Sequence, residues 1–166
     1  MTMWSGRRMT SIRTGVSMTE LFTIRQAEER DLFYIQIICR EQGLGIIDSI
    51  TDISVAVNNQ DLPVGFIHIE TVDDDKDPGA NGVYVYPVAV YGSWQHHGVA
   101  TALVRHELSK TGELRLVACK SSQGFYPKVG FEPVSWELIA ARIAHDCDVC
   151  GALDDCDPIP FRIKLS

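Results

Sequence analysis

One junction constrains this chain most. VYVYPVAV (Val83 to Val90) is a β-branched and aromatic run that reads as a strand. It passes through YGSWQHH into GVATALVRHELSK, where a helix is expected from about Gly98 to Lys110. Pro87 lacks a backbone donor, so it marks either a bulge or a loss of regularity in the strand. The start of the helix is the informative part. A helix N-terminus exposes unpaired N–H groups and carries a partial positive charge, which suits phosphate. Gly98 removes a side chain where a ligand must come close, and Ala100 keeps the next turn small. Gln95 to Ala100 is therefore a candidate pyrophosphate cradle, although the stretch taken alone fits a plain loop-to-helix junction equally well.

The remaining elements follow the same reading. LFTIRQAEERD is a strand running into a helix, with Asp31 placed as an N-cap or first-turn acid. ISVAVNN and PVGFIHIE are short strands joined by the turn residues of NNQDLP. TVDDDKDPGANG reads as a solvated acidic loop. ELRLVACK is a strand, GFYPKV a short helical turn, and a strand begins near Phe131. SWELIAARIAHD has helical periodicity with Ser135 as N-cap, and PIPFRIKLS supplies a final strand. The order gives a mixed α/β domain, with helices flanking a central sheet.

The length of 166 residues suggests one domain. Residues 1–17 carry Arg, Ser and Thr but no acid. They read as a flexible extension, with a faint likeness to a transit peptide, and the domain is taken as 18–166. A net charge of -7 argues against a general nucleic-acid binder, which needs a basic face. No apolar run approaches the roughly 18 residues of a membrane span. A cytoplasmic setting is expected, and with it reduced cysteines.

QHHGVA fits the pattern Q/R-x-x-G-x-G/A, follows the strand VYVYPVAV, and precedes GFYPKVGFEPV. This combination resembles the GNAT family of N-acetyltransferases, over about Leu21 to Val134 and most sharply from Val83 to Phe131. The resemblance implies acetyl-CoA as cosubstrate. Backbone amides of Gln95, His96, His97, Gly98, Val99, Ala100 and Thr101 would hold its diphosphate. Val88, Ala89 and Val90 would offer strand backbone to the pantetheine arm, and an N–H near Val90 would face the oxyanion. Tyr126 matches the family tyrosine whose hydroxyl protonates the leaving thiolate; its other reading is a packing aromatic beside Phe125 and Phe131. The acceptor would be a primary amine of a small molecule or a peptide, attacked directly on the thioester.

Many family members carry a glutamate on the strand that enters the cofactor motif. That position falls at about Tyr84, and this strand has no acid. The replacements are His68, whose unperturbed pKa is near 6.5, Glu70, or a water held by Tyr84 and Tyr86. His68 also reads as a polar residue on a strand's outer face. His96 and His97 would touch phosphate or simply occupy the loop, and Cys119 reads as a small buried apolar residue.

HDCDVCGALDDCDP makes residues 136–158 a Cys-rich insert before the last strand. His145, Cys147, Cys150 and Cys156 give H-x-C-x2-C-x5-C, a spacing compatible with tetrahedral zinc; a disulfide or three reduced cysteines are the alternatives. Two further functional classes stay open: a non-catalytic acyl-CoA-binding domain, and a zinc-stabilised interaction module. Oligomeric state is open, a dimer included.

Overall fold

The computed structural model describes residues 21–149 and 153–166. The expected extension 1–17 and Cys150 lie outside them. Seven strands make one sheet in the order β1-β2-β3-β4-β5-β7-β6. They are β1 Thr23–Gln26, β2 Ile53–Val57, β3 Pro63–Val72, β4 Gly82–Val90, β5 Glu113–Ala118, β6 Glu132–Pro133 and β7 Ile159–Lys164. The helices are α1 Leu32–Glu41, α2 Val99–Thr111, α3 Phe125–Val129, α4 Ala141–Val149 and α5 Leu153–Cys156. The β4–β5 pair is parallel and the other pairings are antiparallel, so the sheet is mixed, as expected. Among the described residues no helix is long and apolar enough to cross a membrane.

Side chains leave a strand on alternating faces, and both faces of this sheet are covered. Val55, Phe66 and Ala89 pack with Ile35 and Ile38 of α1 on one side. Ala56, Ile67 and Val90 pack with Val99, Leu103 and Leu108 of α2 on the other. All five residues of β2 are buried, as a strand covered on both faces requires. The NNQDLP turn closes through Asn58, whose side-chain oxygen accepts the N–H groups of Gln60 and Leu62 at 2.9 and 3.1 Å. Gly65 lets the start of α2 settle close to the sheet. A Cβ there would stand 3.0 Å from the Val99 side chain and 3.1 Å from the Ala89 carbonyl oxygen.

Several local expectations change. Asp31 does not cap α1: its carboxylate is buried, accepts the Glu28 N–H at 2.8 Å, and pairs with Arg25 at 2.7 Å. It stands instead as a first-turn acid of the 3-10 turn Glu29–Asp31 that leads into α1, the other reading of this residue, and its pairing with Arg25 ties β1 to the helix start. Ser135 does cap, but it caps the 3-10 turn Trp136–Leu138, accepting from the Glu137 N–H at 3.3 Å; α4 begins only at Ala141. Residues 136–158, expected as a Cys-rich insert, hold that turn, α4 and α5. Cys119 lies just past β5 and is exposed, not buried. The apolar pattern ends at Ala118, where the strand ends.

Candidate functional site

β4, α2 and β5 form a crossover unit with parallel strands, so the loops leaving β4 and β5 emerge at the same end of the sheet. That carboxyl end is where open α/β sheets place ligands. The two strands meet only at Tyr84 and Arg115; beyond that register they part. Tyr91 N–H donates to the Val64 carbonyl at 2.9 Å, toward β3. Alternation along the strand therefore turns the amides of Val88 and Val90 the other way, into the gap that β5 leaves. Val88, Ala89 and Val90 thus have one edge paired to β3 and one edge open.

The loop that follows is shaped for N–H groups. His96 has φ of 61° and Gly98 has φ of 79°, so the chain turns left-handed twice before α2 begins. Gly98 meets the glycine requirement by conformation, and no atom lies within 4 Å of the position its Cβ would take. The first turn of α2 has no side-chain cap and no acidic residue. The N–H groups of Gly98, Val99, Ala100 and Thr101 therefore stand at the positive end of a 13-residue helix without competing carboxylates. The Nδ1 of His97 bonds the Gln95 carbonyl at 2.8 Å, while His96 is exposed. These features fit a diphosphate.

How this loop is held depends on residues distant in sequence. Gln95 donates to the Gln42 side chain at 3.1 Å and toward the Val90 carbonyl at 3.4 Å, and Glu41 accepts the Gly92 N–H. The C-terminal end of α1 thus clasps the cradle.

Tyr126, on α3, is 8% exposed and packs against Phe125, Phe131 and Phe161. Its hydroxyl has no hydrogen-bond partner among the described residues. Burial, with Cys119 nearby, pushes its pKa up to about 12, so the phenol keeps its proton.

The bulge expected at Pro87 is present. Val88 faces Ile67 and Val85 faces Ile69, so Tyr86 and Pro87 together oppose the single residue His68. His68 Nδ1 lies 2.8 Å from the Tyr86 carbonyl oxygen. A carbonyl only accepts, so Nδ1 carries the proton and Nε2 of the neutral ring holds the lone pair. His68, Tyr86 and Pro87 line a cleft of about 730 Å3. Its far wall is the loop from Leu44 to Asp52, and Glu70 and Arg142 close one side as an ion pair. A cleft of this size suits a small ligand.

The two tyrosines of β4 have different surroundings. Tyr84 is fully buried. Its hydroxyl shares its proton between the carbonyls of Ala80 (2.6 Å) and Leu138 (3.0 Å) and accepts the Ala140 N–H at 3.0 Å. Those bonds anchor the segment leading into α4 and occupy the hydroxyl. Tyr86 donates to Asp146 of α4, and burial with that carboxylate pushes its pKa up to about 12. For the zinc set, His145 and Cys147 lie on α4, Cys156 ends α5, and Cys150 is outside the described residues. Among the described residues no three His, Cys, Asp or Glu side chains are grouped to hold a metal.

Comparison with known proteins agrees with this geometry. The profile of the acetyltransferase (GNAT) domain matches residues 50–133. N-acetylglutamate synthase from Neisseria gonorrhoeae, complexed with coenzyme A and N-acetyl-glutamate, superposes with a TM-score of 0.70 at 19% identity. It covers 87% of this chain, which in turn spans only 35% of that protein. Arabidopsis thaliana Naa50, in complex with the bisubstrate analogue CoA-Ac-MVNAL, gives 0.60 at 17% identity, over 87% of this chain and 99% of its own. A GNAT family N-acetyltransferase (YhbS) from Escherichia coli, in complex with CoA, gives 0.53 at 18% identity, over 68% and 69%. At these identities the likeness is one of fold.

Replacing Tyr84 with Phe strands the Ala140 N–H and the Ala80 carbonyl, while the Leu138 carbonyl keeps its bond from Arg115, so a loss of about 1–3 kcal/mol in chemical denaturation is expected. Unchanged stability would show that water satisfies both stranded groups.

Proposed function

The chain belongs to the GNAT acetyltransferase family, and from that premise we propose that it transfers an acetyl group from acetyl-CoA to a primary amine by direct attack. One observation carries this reading: the open edge of Val88–Val90 runs straight into an uncapped, acid-free helix start behind two left-handed residues. A peptide-like arm pairs with the first and a diphosphate with the second. Acetyl-CoA, when bound, supplies an activated acyl group on a thiol leaving group.

The chain's own residues supply the rest. The amides of Gly98 to Thr101 neutralise phosphate charge. The Val90 N–H, aimed into the gap, faces the carbonyl oxygen as negative charge develops on it. His68 Nε2 takes the proton that the attacking nitrogen loses, with the Tyr86 carbonyl fixing the tautomer. Tyr126 gives its proton to the departing sulfur and is reprotonated from water. The new C–N bond replaces the C–S bond, and the proton count closes. Tyr86 and Pro87 line the cleft beside His68, and the open edge begins at the next residue, Val88, so cleft and edge are neighbours along β4. Pro87 and Val90 are about 10 Å apart along the strand, at roughly 3.3 Å per residue.

Calorimetry with CoA tests the cradle. Wild type is expected to bind at micromolar concentration, and Gly98→Asp to lose at least about 100-fold, since a carboxylate there repels phosphate. Equal affinity in the variant would remove the cradle from the account.

The pH profile tests the base. In wild type kcat/KM is expected to fall toward acid pH and to show no loss from tyrosine ionisation at the ordinary value of 10.0, because Tyr126 holds its proton to about 12. In His68→Gln, kcat drops by about 100-fold or more and the acid limb disappears, with the KM for acetyl-CoA unchanged. An acid limb that survives in the variant would assign the proton to another group.

A further inference from the structure

We propose that the cleft selects amines with an apolar body and no carboxylate beside the reacting nitrogen. This rests on the acetyltransfer reading for its chemistry, though not for its binding test. The argument begins with charge. Asp48, Asp52 and Glu70 line the cleft, and Arg142 is its one strong cation. The Arg142 guanidinium is already paired with Glu70. Asp48 and Asp52 have no ion-pair or hydrogen-bond partner for their carboxylates among the described residues. Two negative charges therefore remain without a counter-ion.

An amine reaches such a site as an ammonium ion and is attracted. An amino acid carries a carboxylate as well, and the charge of the guanidinium that would attract it is already balanced by Glu70. The apolar part has its own evidence. Leu44, Ile46 and Ile47 lie on the loop that forms the far wall, and Ile46 is 92% exposed. Ile47 packs on the core, so Leu44 and Ile46 are the apolar side chains this wall offers to the body of a ligand. A small free amine and the N-terminus of a peptide share this chemistry, since a peptide's first residue has an amide in place of the carboxylate.

Calorimetric titration of the full chain, saturated with CoA, uses three matched probes: phenethylamine, phenylalaninamide and phenylalanine. At least one of the two carboxylate-free probes is expected to bind about tenfold or more tighter than phenylalanine. Tighter binding of phenethylamine points to a small amine, and of phenylalaninamide to a peptide N-terminus. The gap shrinks at high salt, as exposed charges require. Glu70→Gln releases Arg142 and narrows the gap by strengthening phenylalanine. The exposed pair Asp48→Asn with Asp52→Asn narrows it by weakening the amines, and should fold normally because neither side chain has a partner to lose. Phenylalanine binding as tightly as the amines, none of the three binding, or a gap indifferent to both variants would each overturn the proposal. Probes that bind as expected yet are never acetylated would sink the acetyltransfer reading and leave the selectivity standing.

Discussion

The parting of β4 from β5 is the constraint on which the rest depends. Parallel strands that stayed paired to their ends would satisfy each other's backbone groups and leave no edge for a ligand. Here the pair meets at Tyr84 and Arg115 and then opens. Buried side chains hold the end where the strands meet. Tyr84 and Arg115 both donate to the Leu138 carbonyl, and Arg115 also donates to Gly79. The closed end of the sheet is thus pinned, and the open end presents Val88 and Val90.

Three other features acquire their meaning from that gap. The left-handed turn at His96 and Gly98 carries the chain from the open edge into α2, so the cradle sits at the end of the gap. α1 holds the cradle through Glu41 and Gln42. The bulge at Tyr86–Pro87 swings β4 so that His68 of β3 reaches a β4 carbonyl. α4 then closes the cleft with Arg142 on Glu70 and Asp146 on Tyr86. One strand, β4, therefore borders both the cradle and the cleft.

Much of this was legible locally. The strand-to-helix junction, Gly98 and the bulge at Pro87 are properties of a single segment, and periodicity and turn chemistry report them. The strand parting was not legible, because it is a matter of register between segments separated by the whole of α2. Asp31 fits both an N-cap and a first-turn acid, and the second is what the Glu28 N–H and Arg25 select by binding its carboxylate. Cys119 looked like a strand residue because apolar neighbours precede it, yet β5 stops one residue earlier. The cleft left the weakest trace. Its walls come from a loop after α1, two sheet strands and α4, which no spacing within one segment relates.

Backbone hydrogen exchange with and without CoA addresses the central claim most directly, because the amides in question have no protein partner to protect them. Binding in the gap predicts slowed exchange at Val88, Val90 and Gly98 to Thr101, with β2 unchanged. Slowing confined to the loop from Leu44 to Asp52 or to α4, or no slowing at all, would contradict a cofactor seated between the parted strands.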